Sequence, residues 1–311
     1  MVNDNEIKAK VSPFAIREGE IKTFDGKDGY VSMNQIVHKI NIGHINEIHF
    51  AILDLVNEFE FITSRQLYQM LEIKGFDPKS QDKLNNKLEQ LVKSKILTRY
   101  YFTSDEGKGI YRIYCLEKMG KYLLTSKEVE CKWQPSDNTK PVAMIKKRLA
   151  GNQTLIAYLR KVKAFDSYVV KPALTAKVSG KIFKASGGSV KLTKNKKSIE
   201  FLFEVIRREI DWQKKLVDKM RLYKEFYENF LPGDSGFAGM PQLILICEDE
   251  KHMAESFKEI VKNELEIPQI KLYFTTDLRQ NEETLENTLV DFKLVDGKYK
   301  MENVELKLLG M

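Results

Sequence analysis

The chain has 311 residues, 42% hydrophobic and 31% charged, with 51 Lys/Arg against 44 Asp/Glu and a formal net charge of +7. This size and balance predict two globular domains and argue against a disordered or fibrous chain. No run approaches the roughly 18 apolar residues of a membrane span, and Met1-Val2-Asn3-Asp4-Asn5 does not begin a signal peptide, so a cytoplasmic protein without membrane association is expected. Cys115, Cys131 and Cys247 lie far apart, and His38, His44, His49 and His252 lack zinc-ligand spacing, which points to no disulfide framework, no metal and no cofactor.

Residues 1–44 carry the weakest pattern. Ala15 to Ile21 and Tyr30 to Ile36 flank Asp25-Gly26-Lys27-Asp28-Gly29, which predicts a short hairpin or a partner-binding arm outside the module that follows.

Residues 45–125 read as a winged helix-turn-helix. Ile45, Ile48, Ile52, Leu55 and Val56 recur at helical spacing. Thr63 or Ser64 can cap a second helix, Arg65 to Ile73, with Leu67, Met70 and Leu71 inward and Gly75 as its stop. Asp77-Pro78 opens a third helix to about Ser94, burying Leu84, Leu88, Leu91 and Val92 and presenting Lys79, Lys83 and Lys87 on another side. Ile96 to Phe102 and Ile110 to Leu116, rich in branched and aromatic residues, flank Ser104-Asp105-Glu106-Gly107-Lys108-Gly109 and form the wing; Lys118 to Leu124 closes the module. Lysine, asparagine and glutamine on the third helix are groups that reach phosphates and base edges. The DNA-contacting candidates are therefore Lys79, Gln81, Lys83, Asn86 and Lys87 on that helix, with Lys108 and Arg112 on the wing. Such modules also serve as protein-docking units, and this one is nearly neutral, with 12 basic and 11 acidic residues between Ile45 and Thr125.

Positive charge is concentrated further on. Lys140 to Glu200 holds 15 Lys/Arg against Asp166 and Glu200, a net +13, whereas Pro241 to Met311 holds 9 basic and 15 acidic residues, a net −6. An asymmetry of this size beside a DNA-reading module predicts a phosphate-binding surface, with Lys146, Lys147, Arg148, Lys194, Lys196 and Lys197 as its candidates. Residues 126–141, containing Pro135 to Thr139, read as the linker.

Residues 142–311 read as an α/β domain. Met144 to Val162 is helical, and short strands follow. In Ile199 to Ile206 the residues Ile199, Phe201, Phe203 and Val205 take one side and Leu202 and Ile206 the other, the pattern of a strand covered on both faces. A helix of about Glu209 to Phe230, a strand at Leu243 to Cys247, a helix at Asp249 to Asn263 and a strand at Ile270 to Phe274 imply right-handed crossovers and a largely parallel core, ending in an antiparallel pair around Asp296-Gly297.

Two stretches together resemble the replication-relaxation family of mobile plasmids and related elements. One is Tyr111-Arg112-Ile113-Tyr114-Cys115-Leu116-Glu117-Lys118-Met119-Gly120-Lys121-Tyr122-Leu123-Leu124; the other is Phe201-Leu202-Phe203-Glu204-Val205-Ile206-Arg207-Arg208-Glu209 followed by Leu243 to Ile246 and Tyr273 to Asp277. The resemblance covers roughly residues 45 to 311 and implies that the second half is a restriction-endonuclease-like α/β core. In that core a strand carries a glutamate, a further acid and a basic residue. Here Glu204 and Arg207 match, but the intervening acid is Ile206, and the preceding turn reads Ser186-Gly187-Gly188-Ser189 without an aspartate. Metal-dependent cleavage needs converging carboxylates, so Glu204 is read first as a structural carboxylate, with Glu200, two pleats away on the same face, as its one acidic neighbour for a metal-dependent nicking enzyme.

The expectation is an α+β protein, a winged helix followed by an inactive nuclease-like domain. It binds double-stranded DNA with sequence preference and serves plasmid replication, conjugative transfer or control of their genes. The rivals are a nicking enzyme using Glu204 and an adaptor that recruits a relaxase or replication protein; the oligomeric state, homodimer included, is left open.

Overall fold

The computed structural model describes residues 12–104, 107–281, 285, 288–295 and 298–304, without the side chains of 107–110 and 298. The fold is mixed α and β. It divides into two units, Arg17–Leu149 and the combination of Met1–Ile16 with Ala150–Met311. Among the described residues no helix is long and apolar enough to cross a membrane.

In the Arg17–Leu149 unit, β1 (Ile21–Phe24) is followed by α1 (Met33–Asn41), α2 (Glu47–Phe59), β2 (Ile62–Thr63), α3 (Ser64–Ile73), α4 (Gln81–Lys93), β3 (Leu97–Ser104), β4 (Gly107–Leu116) and α5 (Lys118–Ser126). Helix starts follow side-chain chemistry. Thr63 accepts from the Gln66 amide while the Gln66 side chain accepts from the Thr63 amide, and Ser32 and Gln35 repeat the arrangement at α1. Residues Ile52, Leu55 and Val56 of α2, Leu67 and Leu71 of α3, and Leu84 and Leu88 of α4 are fully buried, each worth about 1.5–3 kcal/mol of transfer free energy. The sheet order is β1-β3-β4-β2, all neighbours antiparallel.

Two local expectations are corrected. The hairpin of residues 15–36 is not formed: Ile21–Phe24 pairs with Tyr100–Thr103, and Met33–Asn41 is a helix. The third helix starts at Gln81 rather than at Asp77-Pro78, because Ser80 accepts from the Lys83 amide as its cap and Lys79 has a left-handed φ of 67° that no helix accommodates.

Gly120 lets α5 approach Ile96, in the connection between α4 and β3, and Leu53 of α2. A Cβ there would lie 2.3 Å from the Ile96 carbonyl oxygen, an acceptor already held by the Glu117 amide at 3.1 Å. Gly120→Ala is expected to lower the stability of this unit by about 1–3 kcal/mol, read by urea titration; an unchanged midpoint would show that α5 can shift freely.

The division between the units falls inside α6 (Val142–Lys161). Beyond it come β5 (Phe165–Val169), β6 (Ala173–Ala176), β7 (Lys181–Lys184), β8 (Gly188–Lys194), β9 (Lys197–Val205), α7 (Trp212–Glu228), β10 (Gln242–Cys247), α8 (Glu250–Lys262), β11 (Leu272–Thr276), α9 (Asp277–Asn281), β12 (Leu289–Val295) and β13 (Lys298–Val304). Among the described residues, one sheet has the order β13-β12-β11-β10-β9-β8-β5, and β6 with β7 forms a separate pair. β9, β10 and β11 are mutually parallel and the flanking strands antiparallel. β9 is covered on both sides. Phe201 and Phe203 meet Tyr158 of α6 with ring centroids 6.2 and 5.1 Å apart, while Leu202 joins Met220, Tyr223 and Tyr227 of α7. The turn between β12 and β13, at Asp296-Gly297, lies outside the described residues.

Candidate functional site

The polar face of α4 is held by contacts at both ends. Gln81 donates to the Ser64 carbonyl and to Asn85 Oδ1, His49 Nε2 bonds Gln90 Oε1 at 3.0 Å, and Lys39 Nζ donates to Ser94 Oγ at 2.8 Å. Between these anchors Lys83, Asn85, Asn86 and Lys93 are exposed and Lys87 is half-buried. Lys79 does not belong to this face: it precedes the cap and pairs with Asp77 at 2.6 Å. Gln81 is spent on joining α4 to α3. On the hairpin, Arg112 Nε bonds Asp25 Oδ2 at 2.7 Å, and Arg99 bridges Asp25 and Glu89, so the acid of the β1–α1 connection neutralises part of the cationic edge. The side chain of Lys108 lies outside the described residues.

The expected cationic belt is partly internal. Lys146 is 1% exposed, with its ammonium 2.5 Å from Glu20 Oε2 and 5.2 Å from the Phe102 ring centre, and cannot reach phosphate. Arg148 is half-buried at 3.6 Å from Glu60, and Lys147 is also half-buried. These pairings link acids and bases more than 80 positions apart, which a local charge count does not see. Lys194, Lys196 and Lys197 are exposed at the two-residue turn between β8 and β9, where Asn195 and Lys196 have φ of 50° and 65°.

Glu204 is 7% exposed and is held on every side. Its carboxylate accepts from Tyr223 Oη at 2.7 Å, from Ser186 Oγ at 2.7 Å and from the Ser186 amide at 3.2 Å, and Lys219 Nζ stands 3.7 Å away. Burial, then the adjacent carboxylate, push the Tyr223 phenol well above its ordinary range, keeping it a donor. Glu200 does not join it: Glu200 accepts from the Gly239 amide at 3.3 Å. Among the described residues no group of three or more His, Cys, Asp or Glu side chains is placed to hold a metal ion.

A second polar cluster lies where β9, β10 and β11 end, the edge at which open parallel sheets place their functional groups. Arg207, 0% exposed, is held by both carboxylate oxygens of Asp277 at 2.8 and 2.9 Å and donates to the Ile206 carbonyl. Ser12 Oγ also donates to Asp277, and the Ile16 amide donates to Glu248 at 3.2 Å, so the segment Ser12–Ile16 lies across this edge with Phe14 buried. Burial pushes the Asp277 and Glu248 carboxyls upward against the pull of Arg207. Arg208 pairs with Asp249, and His252 Nδ1 accepts from the Glu248 amide, which leaves the ring proton on Nε2. Burial, then Arg208 and Arg207, lower the His252 pKa to about 3, so it is neutral. The family resemblance placed only Arg207 here, as the basic residue of a nuclease-like motif; Glu248, Asp249, His252 and Asp277 were given no role. The available signal was charge directly after each of three apolar strands: Arg207-Arg208, Glu248-Asp249 and Asp277.

Comparison of the chain with protein-family models, with curated proteins and with solved structures finds no match.

Proposed function

We propose that the Arg17–Leu149 unit is a winged helix-turn-helix that binds double-stranded DNA with sequence preference, and that α4 is the helix entering the major groove. The observation carrying this reading is the order α2, β2, α3, α4, β3, β4 with β2 paired to β4, which packs three helices against a hairpin and leaves Lys83, Asn85, Asn86 and Lys93 exposed on α4. Asparagine can bond adenine through two atoms, and the lysines take phosphate or guanine. Lys194, Lys196 and Lys197 add positive charge in the other unit.

The motif resemblance to the replication-relaxation family supports plasmid replication, transfer or control of their genes as the process served. The run α6, β5, β8, β9, α7, β10 supports a restriction-endonuclease-like reading of the second unit. The engagement of Glu204 by Tyr223, Ser186 and Lys219 supports a structural carboxylate rather than a cleaving one.

The test is selection of bound sites from randomised duplex by the full chain, followed by salt titration. Asn86→Ala is expected to lose about 1–3 kcal/mol of discrimination at one base pair, and Lys83→Gln to weaken all sequences alike and flatten the logarithmic salt slope by about 0.9. Absence of any selected site, or unchanged binding in both variants, overturns the reading.

A further inference from the structure

The hairpin of β12 and β13 ends the main sheet in a strand whose ladder is regular. Its register runs without a shift from Leu289↔Val304 to Val295↔Lys298, whereas β5, at the opposite end of the sheet, carries a bulge between Phe165 and Ser167. A bulge blunts an edge against pairing; a regular edge offers alternate amides and carbonyls as a template. Among the described residues nothing is hydrogen-bonded to the outer side of β13. The hairpin is anchored through one face: Phe257 of α8 stacks on Phe292 with ring centroids 4.2 Å apart and meets Tyr299 edge-on at 4.8 Å. Met301, opposite Phe292 and so on that same face, is 43% exposed.

The other face carries charge in rows of like sign. Asp291 stands directly opposite Glu302, and Lys293 directly opposite Lys300; the ion pair of Lys293 with Glu302, at 2.6 Å, runs diagonally between the rows. Like charges directly opposite weaken a ladder, so this order is costly to the hairpin by itself. A second β13 laid antiparallel beside the first, on a two-fold axis perpendicular to the sheet at Met301, changes the balance. Lys300 of each copy then faces Glu302 of the other, the acidic row of one copy runs into the basic row of the other, and Met301 packs on its own counterpart. Moving the axis by one residue sets Lys300 against Lys300 or Glu302 against Glu302, so the charge pattern selects one register.

We propose that β13 is a homodimer edge, pairing antiparallel with β13 of a second copy about Met301 to join the two sheets into one. A second copy fits better than an unrelated strand because the complementarity is between the strand and itself, as an interface on a two-fold axis requires. The inference goes beyond the DNA-binding reading and does not depend on it.

The experiment follows full-length protein, freed of nucleic acid at high salt, by sedimentation across a concentration series. The variants are Lys300→Glu, Glu302→Lys and the double exchange Lys300→Glu/Glu302→Lys, with melting curves to check folding. Lys300→Glu also relieves the repulsion from Lys293 within the hairpin, so a dimer lost there is not a fold lost. Wild type is expected to dimerise reversibly, and each single variant, which sets like charges across the axis twice, to raise the dissociation constant about tenfold or more. The double exchange, and an equimolar mixture of the two single variants, put opposite signs back and are expected to dimerise again. Register is read separately. Met301→Cys brings two thiols to the axis and is expected to form an oxidised dimer above the wild-type background, while Asn303→Cys leaves its thiols about 13 Å apart and is not. A monomeric wild type overturns the proposal and leaves the edge to an extended strand of another protein. So do a dimer indifferent to both single variants, failure of the double exchange to restore it, and equal cross-linking at positions 301 and 303.

Discussion

Asp277→Ala is expected to cost the α/β unit about 3–5 kcal/mol, because it strands the Arg207 guanidinium in a site that is 0% exposed. Both oxygens of Asp277 hold Arg207, and Ser12 adds a third bond, so the substitution removes the paired charge and the anchor of the N-terminal segment together. Arg207→Met/Asp277→Leu removes both charges and is expected to be milder than Asp277→Ala, since no buried ion is left unpaired, although the bonds from Arg207 to main-chain carbonyls are lost as well. Trp212, packed on His252 at 4.6 Å, reports this unit by fluorescence once Trp133 is replaced by phenylalanine. A loss under 1 kcal/mol in Asp277→Ala, by urea titration, would mean that water reaches the site and solvates Arg207.

Acid should loosen the same edge through His252. Its folded pKa, about 3, lies below the ordinary 6.5, so the neutral ring contributes stability that is fully present above pH 6.5 and is lost as pH falls toward 3. Between pH 6.5 and 4.5 the unfolded chain takes up a proton that the folded chain refuses, worth about 2 kcal/mol over that interval. His252→Asn retains an acceptor for the Glu248 amide but cannot titrate. It is expected to be less stable than wild type at pH 7 and to lose about 2 kcal/mol less on acidification, followed by Trp212 fluorescence in urea at each pH. Parallel pH profiles for the two proteins would assign the acid sensitivity to the carboxylates instead.

Hydrophobic pattern made the elements of both units legible where one face is buried. Leu84, Leu88, Leu91 and Val92 mark α4, and the alternation from Ile199 to Val205 marks a strand sandwiched between helices. The helix Met33–Asn41 escaped because only Ile36 is buried along its length, too little for a period to emerge. Ala15 to Ile21 read as half of a local hairpin, yet the strand is Ile21–Phe24 and its partner is Tyr100–Thr103, and strand pairing over that distance leaves no local trace. Candidate site residues were recognisable by type but not by environment. Lys146 and Lys83 carry the same group in basic or polar stretches; Glu20 buries one, and nothing in the neighbouring residues announces it. The pairing of Asp277 was likewise unreadable, since its partners Arg207 and Ser12 lie 70 and 265 positions away.

That last separation sets an order of assembly during synthesis. Asp277 is joined to the growing chain 265 residues after Ser12, a delay of about 13–50 s at ~5–20 residues per second. The Arg17–Leu149 unit has all of its residues emerged long before then and can reach its native pairing while the nascent chain still grows. Ser12–Ile16, with Phe14 uncovered, must wait for β9, β10 and β11 to align. Ser12–Ile16 is thus among the last stretches of its unit to settle, and a chaperone that shields Phe14 in the interval would act on the waiting chain rather than on a folding error.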